Sequence, residues 1–283
     1  MTSPSSWSFR EGDPITAELT VVRRLGGGSA YEAYLAFDEV TYGPVVVKVV
    51  RPDQVADEHA LRGLAREVEA LATVNHPVVV RGLRHELVGA RPHVVLEQAD
   101  GPRLSTLIRR YGPLQPQQYL PLAVDLASAL HYLGHVGWVH LDVKPSNVIM
   151  GAPARLIDLS VARPVVEAAR TTLVGTDAYM APEQADPERY GAPGPASDVW
   201  GLCATVFEAV AGYRAFAGPG HPQLVEDPAE LPSRTPREVA GVLMAGLDRT
   251  AAHRPAPREV AEALEPVLDR LPAARLGGAL KAS

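Results

Sequence analysis

Cysteine is nearly missing from this chain: Cys203 is the only one. A lone thiol excludes an intramolecular disulfide and suits a reducing compartment. We read it as a small buried apolar residue and expect a cytoplasmic location. An excess of one charge is missing too. There are 27 Lys and Arg against 33 Asp and Glu, a net charge of −6, so neither nucleic acid nor an anionic membrane surface is an expected partner. No window of about 18 apolar residues exists, which excludes a membrane-spanning helix. Residues 1–14 lack the basic start and apolar run of a secretion signal. They are polar and rich in Ser and Pro, and we expect a flexible segment there. No repeat period is visible. What is plentiful is ordinary hydrophobic sequence, 46% of 283 residues. That is enough for a sizeable core in one large domain or two lobes.

One short string carries chemistry. His140-Leu141-Asp142-Val143-Lys144-Pro145-Ser146-Asn147 sets a carboxylate, an amine and a carboxamide close together, and the apolar run Arg155-Leu156-Ile157 behind it ends in Asp158. Asn147 and Asp158 are hard oxygen donors of the kind Mg²⁺ prefers, and Mg²⁺ usually enters such sites with nucleotide phosphates. Asp142 suits a proton acceptor for an attacking hydroxyl, and Lys144 a point charge beside a moving phosphoryl group. Singly, Asp142 or Asn147 is better read as a polar turn residue. The whole string, followed by a strand and another Asp, is a specific signal.

Leu19 to Arg24 and Tyr31 to Phe37 read as strands around Gly26-Gly27-Gly28-Ser29, which is first of all a hairpin turn. Pro44 to Val50 is apolar except for Lys48, which is costly to bury unless paired. Asp57 to Val74 carries Leu61, Leu64, Val68 and Leu71 on one helix face, and Glu67 and Glu69 lie in it. Val78 to Leu83 and His93 to Leu96 read as further strands. From Ser105 the pattern turns helical. Gln117 to Leu133 has a core-facing stripe at Leu120, Val124, Ala127, Leu130 and Leu133, and Pro121 predicts a kink or a late start. His131, His135 and His140 do not make a zinc site, because a closed site needs further ligands and no cysteine is near.

The string H-x-D-x-K-P-x-N resembles the catalytic loop of the Ser/Thr protein kinases, with Asp158-Leu159-Ser160 where that family carries Asp-Phe-Gly. Val45-Val46-Val47-Lys48 resembles its lysine strand, and Gly175 to Glu183 its activation segment ending in Ala181-Pro182-Glu183. Asp198-Val199-Trp200-Gly201 and His253-Arg254-Pro255 match its later elements. The resemblance runs from about Ile15 to Leu268 and looks most like the bacterial eukaryotic-like kinases. It implies an α+β, two-lobed fold. An antiparallel sheet plus one helix would form the N-lobe over 15–97, a mainly helical C-lobe would cover 98–270, and a tail 271–283. ATP and Mg²⁺ would lie in the cleft between lobes.

The resemblance also implies roles. Lys48 holds phosphates and is paired with Glu67, while Glu69 stays on the surface. Gly26 and Gly28 belong to the phosphate loop. Ala33 and Val46 cover adenine, Ile149 closes the site from below, and backbone groups of Glu97 and Ala99 bond the adenine edge with Leu96 gating the pocket behind. Asp142, Lys144 and Asn147 are the expected catalytic residues, and Asn147 and Asp158 the metal ligands. Thr176 bonds Asp142 and Lys144, Asp198 anchors the catalytic loop, and Arg254 pairs with Glu183. The expected partner is a protein substrate with a Ser or Thr acceptor, and the family admits an N-lobe homodimer by analogy.

Five departures from the family pattern carry expectations of their own. Tyr31 stands where the third loop glycine is usual, with Ala30 at the tip, and is expected to stiffen the loop or restrict backbone approach to the phosphates. Ala33 and Val46 exchange the usual Val and Ala, conserving summed volume. Leu141 replaces the arginine that receives an activation-loop phosphate, so activity is expected not to depend on phosphorylation of Thr171 or Thr172. Ser160 replaces a glycine and is expected to make in–out switching harder. The Pro- and Gly-rich stretch Ala215 to Pro236 shows no clear amphipathic helix, where the family has a substrate-docking one. The competing readings are a nucleotide-binding pseudokinase scaffold and a small-molecule kinase. Retention of Lys48, Glu67, Asp142, Asn147 and Asp158 together speaks against the first, and the Gly175 to Glu183 segment against the second.

Overall fold

Alternation sets the N-terminal third. In the strand Tyr31–Asp38, Glu32, Tyr34, Ala36 and Asp38 are buried while the residues between them are half-buried, the pattern of a sheet covered on both faces to different depths. The computed structural model describes residues 5–170 and 175–272. Its first sheet runs β1 (Leu19–Gly27), β2 (Tyr31–Asp38), β3 (Gly43–Val50), β4 (Gly82–Glu86) and β5 (His93–Glu97), in spatial order β1-β2-β3-β5-β4. Every pairing in it is antiparallel. Helix α1 (Glu58–Thr73) packs beside it. Its start is fixed by Asp57, whose side chain accepts the Ala60 amide at 2.7 Å.

The C-terminal part is mainly helical. It holds α2 (Leu104–Tyr111), α3 (Pro116–His135), the two-residue strands β6 (Trp138–Val139), β7 (Val148–Ile149), β8 (Arg155–Leu156) and β9 (Arg163–Pro164), then α4 (Val165–Ala168), α5 (Pro182–Ala185), α6 (Pro187–Tyr190), α7 (Pro195–Ala211), α8 (Arg237–Gly246) and α9 (Pro257–Asp269). Almost every residue of α7 is buried, Trp200 and Phe207 among them, so it forms the axis on which α3 and α8 pack, with α9 laid against those two. This is the two-lobed α+β arrangement that the family resemblance implies, with the sheet and α1 as one lobe and the helical part as the other.

Three local expectations change. Residues 5–14, expected to be flexible, lie on the outer face of the sheet. Trp7 stacks on Phe9 with ring centroids 5.7 Å apart, and Phe9 meets Tyr34 edge-on. Polarity concealed two aromatic side chains able to cover an apolar face. Val78–Val80 do not belong to β4, which starts later at Gly82. Val79 instead bridges Leu156, and the Val80 amide donates to Leu156 O at 3.0 Å, stitching the two lobes together. Helix α3 starts at Pro116 and runs through Pro121. Gln118 satisfies the Gln115 amide at its start, so no late start occurs. Between α7 and α8 the chain holds only the short turn Pro222–Leu224. Thr171 and Thr172, and most of the expected tail 271–283, lie outside the described residues.

Candidate active site

The cleft side of β3 is set by parity. Val45, Val47 and Val49 are buried in the outer cluster with Ile15, Leu19 and Tyr34, so Val46 and Lys48 must face the other way. Register places Ala33 opposite Lys48 and Leu35 opposite Val46, which puts Ala33 and Val46 on the same roof. Gly26 lies opposite Ala33, and Gly28 N donates to Tyr31 O at 3.0 Å, closing the loop at the end of that roof.

Lys48 Nζ donates to Glu67 Oε2 at 2.6 Å and to Asp158 Oδ1 at 2.9 Å. Burial opposes its charge, but the two carboxylates outweigh burial and hold the ammonium above its ordinary value. Burial pushes Glu67 up, with Lys48 pulling it back and the negative Asp158 adding to the rise. Asp158 is held well below the usual carboxylate range, because Lys48 outweighs its burial. Its side chain is 37% exposed, so it faces the cleft with oxygen to spare. It has φ 69°, as Leu141 has φ 61°, both uncommon for residues with a side chain. Glu69 is exposed on the far side of α1.

A second cluster surrounds Asp142. Thr176 Oγ1 donates to its Oδ1 at 2.8 Å, Lys144 Nζ lies 2.7 Å from its Oδ2, and Asn147 Nδ2 donates to the same Oδ2 at 3.0 Å. Lys144 also donates to Thr176 Oγ1. The loop that carries them is hung on α7. Asp198 accepts both the His140 and Leu141 amides at 2.7 Å. The clusters are adjacent, since the Ile157 amide, next to Asp158, donates to Asn147 O at 2.9 Å. Asn147 spends its amide nitrogen on Asp142, which leaves its carbonyl oxygen for a cation. One carboxylate and one carbonyl are the sparse, hard-oxygen set that suits Mg²⁺ carrying phosphates and water. Among the described residues no group of three or more His, Cys, Asp and Glu is arranged to hold a metal.

At the hinge, Glu97 ends β5, Ala99 lies two residues beyond it, and Leu96 is buried just before them. The Glu97 amide donates to Arg81 O, so an adenine contact from Glu97 has to use its carbonyl. Its carboxylate clasps Arg81 from one lobe and Arg155 from the other at 2.9 and 3.2 Å, an interlobe tie that sequence reasoning missed. Ile149 is half-buried on β7. Beneath the Gly175 to Glu183 segment, Arg254 makes two hydrogen bonds to Glu183, at 2.6 and 2.8 Å, and Gln184 donates to Leu141 O at 2.9 Å. Gln223 holds the segment from the other side, donating to Asp177 O and Met180 O. No spacing signal pointed to Gln223, because it sits in the isolated short turn Pro222–Leu224, too brief to show a periodicity. The Tyr31 side chain leaves the glycine loop altogether and turns toward α1.

The two lobes, the lysine–glutamate pair and the aspartate held by lysine, threonine and asparagine define a protein kinase domain, and the chain belongs to that family, whose match covers residues 19–277. Among particular relatives, it is 32% identical to the serine/threonine-protein kinase PknB of Mycobacterium leprae, over 69% of this chain and 32% of that protein. PknB of Mycobacterium tuberculosis H37Rv is 31% identical over 77% of this chain and 35% of that protein. PknK of the same strain is 32% identical over 83% and 22%. The chain thus spans about a third or less of the length of these relatives. No described helix is long and apolar enough to cross a membrane.

Proposed function

We propose that this chain is an ATP- and Mg²⁺-dependent Ser/Thr protein kinase domain that moves the γ-phosphoryl of ATP to a hydroxyl of a protein. The observation that carries this reading is the single ammonium of Lys48 bonded at once to Glu67 of α1 and Asp158 of the other lobe. That link draws two lobes onto one phosphate-sized charge. Asp158 and Asn147 would hold Mg²⁺, which when bound neutralises phosphate charge. Lys48, kept charged by its partners, positions the phosphates. Ala33, Val46 and Ile149 enclose the base, with backbone of Glu97 and Ala99 at its edge.

Asp142 orients the attacking hydroxyl. A carboxylate offers about four acceptor sites, and Thr176, Lys144 and Asn147 take three, which leaves one for the substrate. Lys144, already beside Asp142, steadies the transferred group as a point charge. The acceptor is a Ser or Thr of a protein docked on the Gly175 to Glu183 segment that Arg254 and Gln223 brace. The test is transfer from labelled ATP with Mg²⁺, wild type beside Asp142→Asn. We expect label on substrate or on the chain only with wild type, and nucleotide binding by both. Binding without any transfer by the wild type would replace this reading with that of a scaffold.

Activity is independent of activation-loop phosphorylation in this reading. Leu141, 3% exposed, packs with Val139, Val165 and Ala168, so an apolar contact occupies the position that the phosphate-binding arginine takes in relatives. Phosphatase treatment should leave the rate unchanged. Loss of activity would reassign the phosphate to Arg66 and Arg163, whose mutual repulsion adds to burial in lowering the Arg163 guanidinium.

A further inference from the structure

Gly63 lies inside α1, where glycine is the poorest helix former after proline, and the reason for it is on another element. A Cβ at Gly63 would sit 2.5 Å from Tyr31 Oη. That hydroxyl donates to Ala60 O at 2.6 Å, and the ring packs into the cluster of Ala60, Leu64 and Val50. The same ring has Lys48 Nζ 4.8 Å from its centroid. Tyr31 therefore touches the two things whose meeting makes the site: the helix that carries Glu67 and the ammonium that Glu67 pairs with.

We propose that Tyr31, seated in the notch left by Gly63, is a positioning residue that holds α1 in the Lys48–Glu67 paired state. Helix α1 meets the sheet mainly through the apolar side chains Ala60 and Leu64, with Leu61, Val68 and Leu71 beside them. Apolar packing alone is non-directional and lets a helix rotate or slide. A hydrogen bond from β2 to a carbonyl near the start of α1 fixes both. The donor is dependable, since burial pushes the Tyr31 hydroxyl up to about 12 and it stays protonated across the physiological range. The pin is built into the fold and needs no modification of the chain. The inference rests on the kinase reading, because it assigns Tyr31 a part in that site.

The test is a cycle of four proteins: wild type, Tyr31→Phe, Gly63→Ala, and the double variant. Rates are measured well below each melting temperature. Losing one neutral hydrogen bond, Tyr31→Phe should lower kcat/KM for ATP about threefold to tenfold. Gly63→Ala should cost on the order of tenfold or more, because the added methyl expels the hydroxyl. In the Tyr31→Phe background the same Gly63→Ala change has no hydroxyl to strike. It should then be harmless to kcat/KM and should raise the melting temperature through helix propensity. Equal losses from Gly63→Ala in both backgrounds, or none in either, would overturn the proposal. A purely structural contact would move melting temperature without this conditional change in rate. Hydrogen exchange of the α1 amides separates the two readings. If wild type transfers no phosphate, the kinase reading fails, yet faster exchange across 58–67 in Tyr31→Phe still supports the pin. Unchanged exchange in every variant overturns it.

Discussion

Asp38 ends β2 with no side-chain surface exposed, yet it carries charge. Arg84 of β4 binds both its oxygens at 2.7 and 2.5 Å, and Thr41 adds a hydroxyl at 2.8 Å. The Arg84 hydrogen bonds hold its carboxyl well below the ordinary range, against burial. A folded value below the unfolded one of about 3.9 means that the stability is present at neutral pH and is lost as pH falls toward the folded value. Asp38→Asn should therefore cost on the order of 2 kcal/mol at pH 7. The gap to wild type should narrow below about pH 4. Urea unfolding at pH 7 and pH 3.5 checks this, and a constant gap would refute it. The candidate site residues stood out because each chemical group sits in a short rigid string, Lys48 in a strand, Asp142 to Asn147 in one loop. Tyr31 and Glu32 were not. Their neighbours in sequence say only that they alternate across a strand, while their partners, Ala60 and Ser6, come from elements that no local pattern connects to them.

Periodicity exposed α1 and α3 nearly to their ends, because each presents one apolar face over several turns. It failed at Val78–Val80, where a run of valines reads as strand but is buried by cross-lobe bonds to Leu156. Where two helices meet closely, a single residue type decides the distance between them. Gly246 ends α8 against α7, and a Cβ there would lie 2.1 Å from Cys203 Sγ and 3.0 Å from Cys203 Cβ. Cys203 itself is inert, its thiol pushed up to about 12 by burial. Gly246→Ala should thus push α8 off α7 and destabilise by about 1–3 kcal/mol or more. Cys203→Ala in the same chain removes the sulfur that the methyl strikes and should restore most of the loss. Thermal unfolding of the two variants decides it; a Gly246→Ala protein as stable as wild type would mean that the helices are not in this contact.

At the scale of the whole molecule, the N-terminal residues tie the sheet's outer face to the glycine loop. Glu32 is buried and negatively charged, and it is tolerated because Ser6 Oγ, the Trp7 amide and the Tyr34 hydroxyl donate to it at 2.6, 3.0 and 2.9 Å, with Arg24 at 3.1 Å. Trp7 Nε1 donates to Val50 O, and Arg51 joins Ser5 O to Gly28 O. Removing residues 1–9 strips two aromatics from the apolar face, about 1.5–3 kcal/mol each. It also deprives a buried carboxylate of two donors. With roughly 2–4 °C per kcal/mol for a domain of about this size, the melting temperature should fall by about 10 °C or more. Glu32→Gln should recover part of that in the shortened chain and should destabilise the full one, because the charge is an asset only while its donors are present. The shortened chain should also show a higher KM for ATP, since Arg51 loses one of the two carbonyls between which it holds Gly28. Calorimetry and ATP titration of the four proteins check both halves. A shortened chain that melts within 2 °C of the full one would return residues 5–14 to the flexible segment that their polarity suggests.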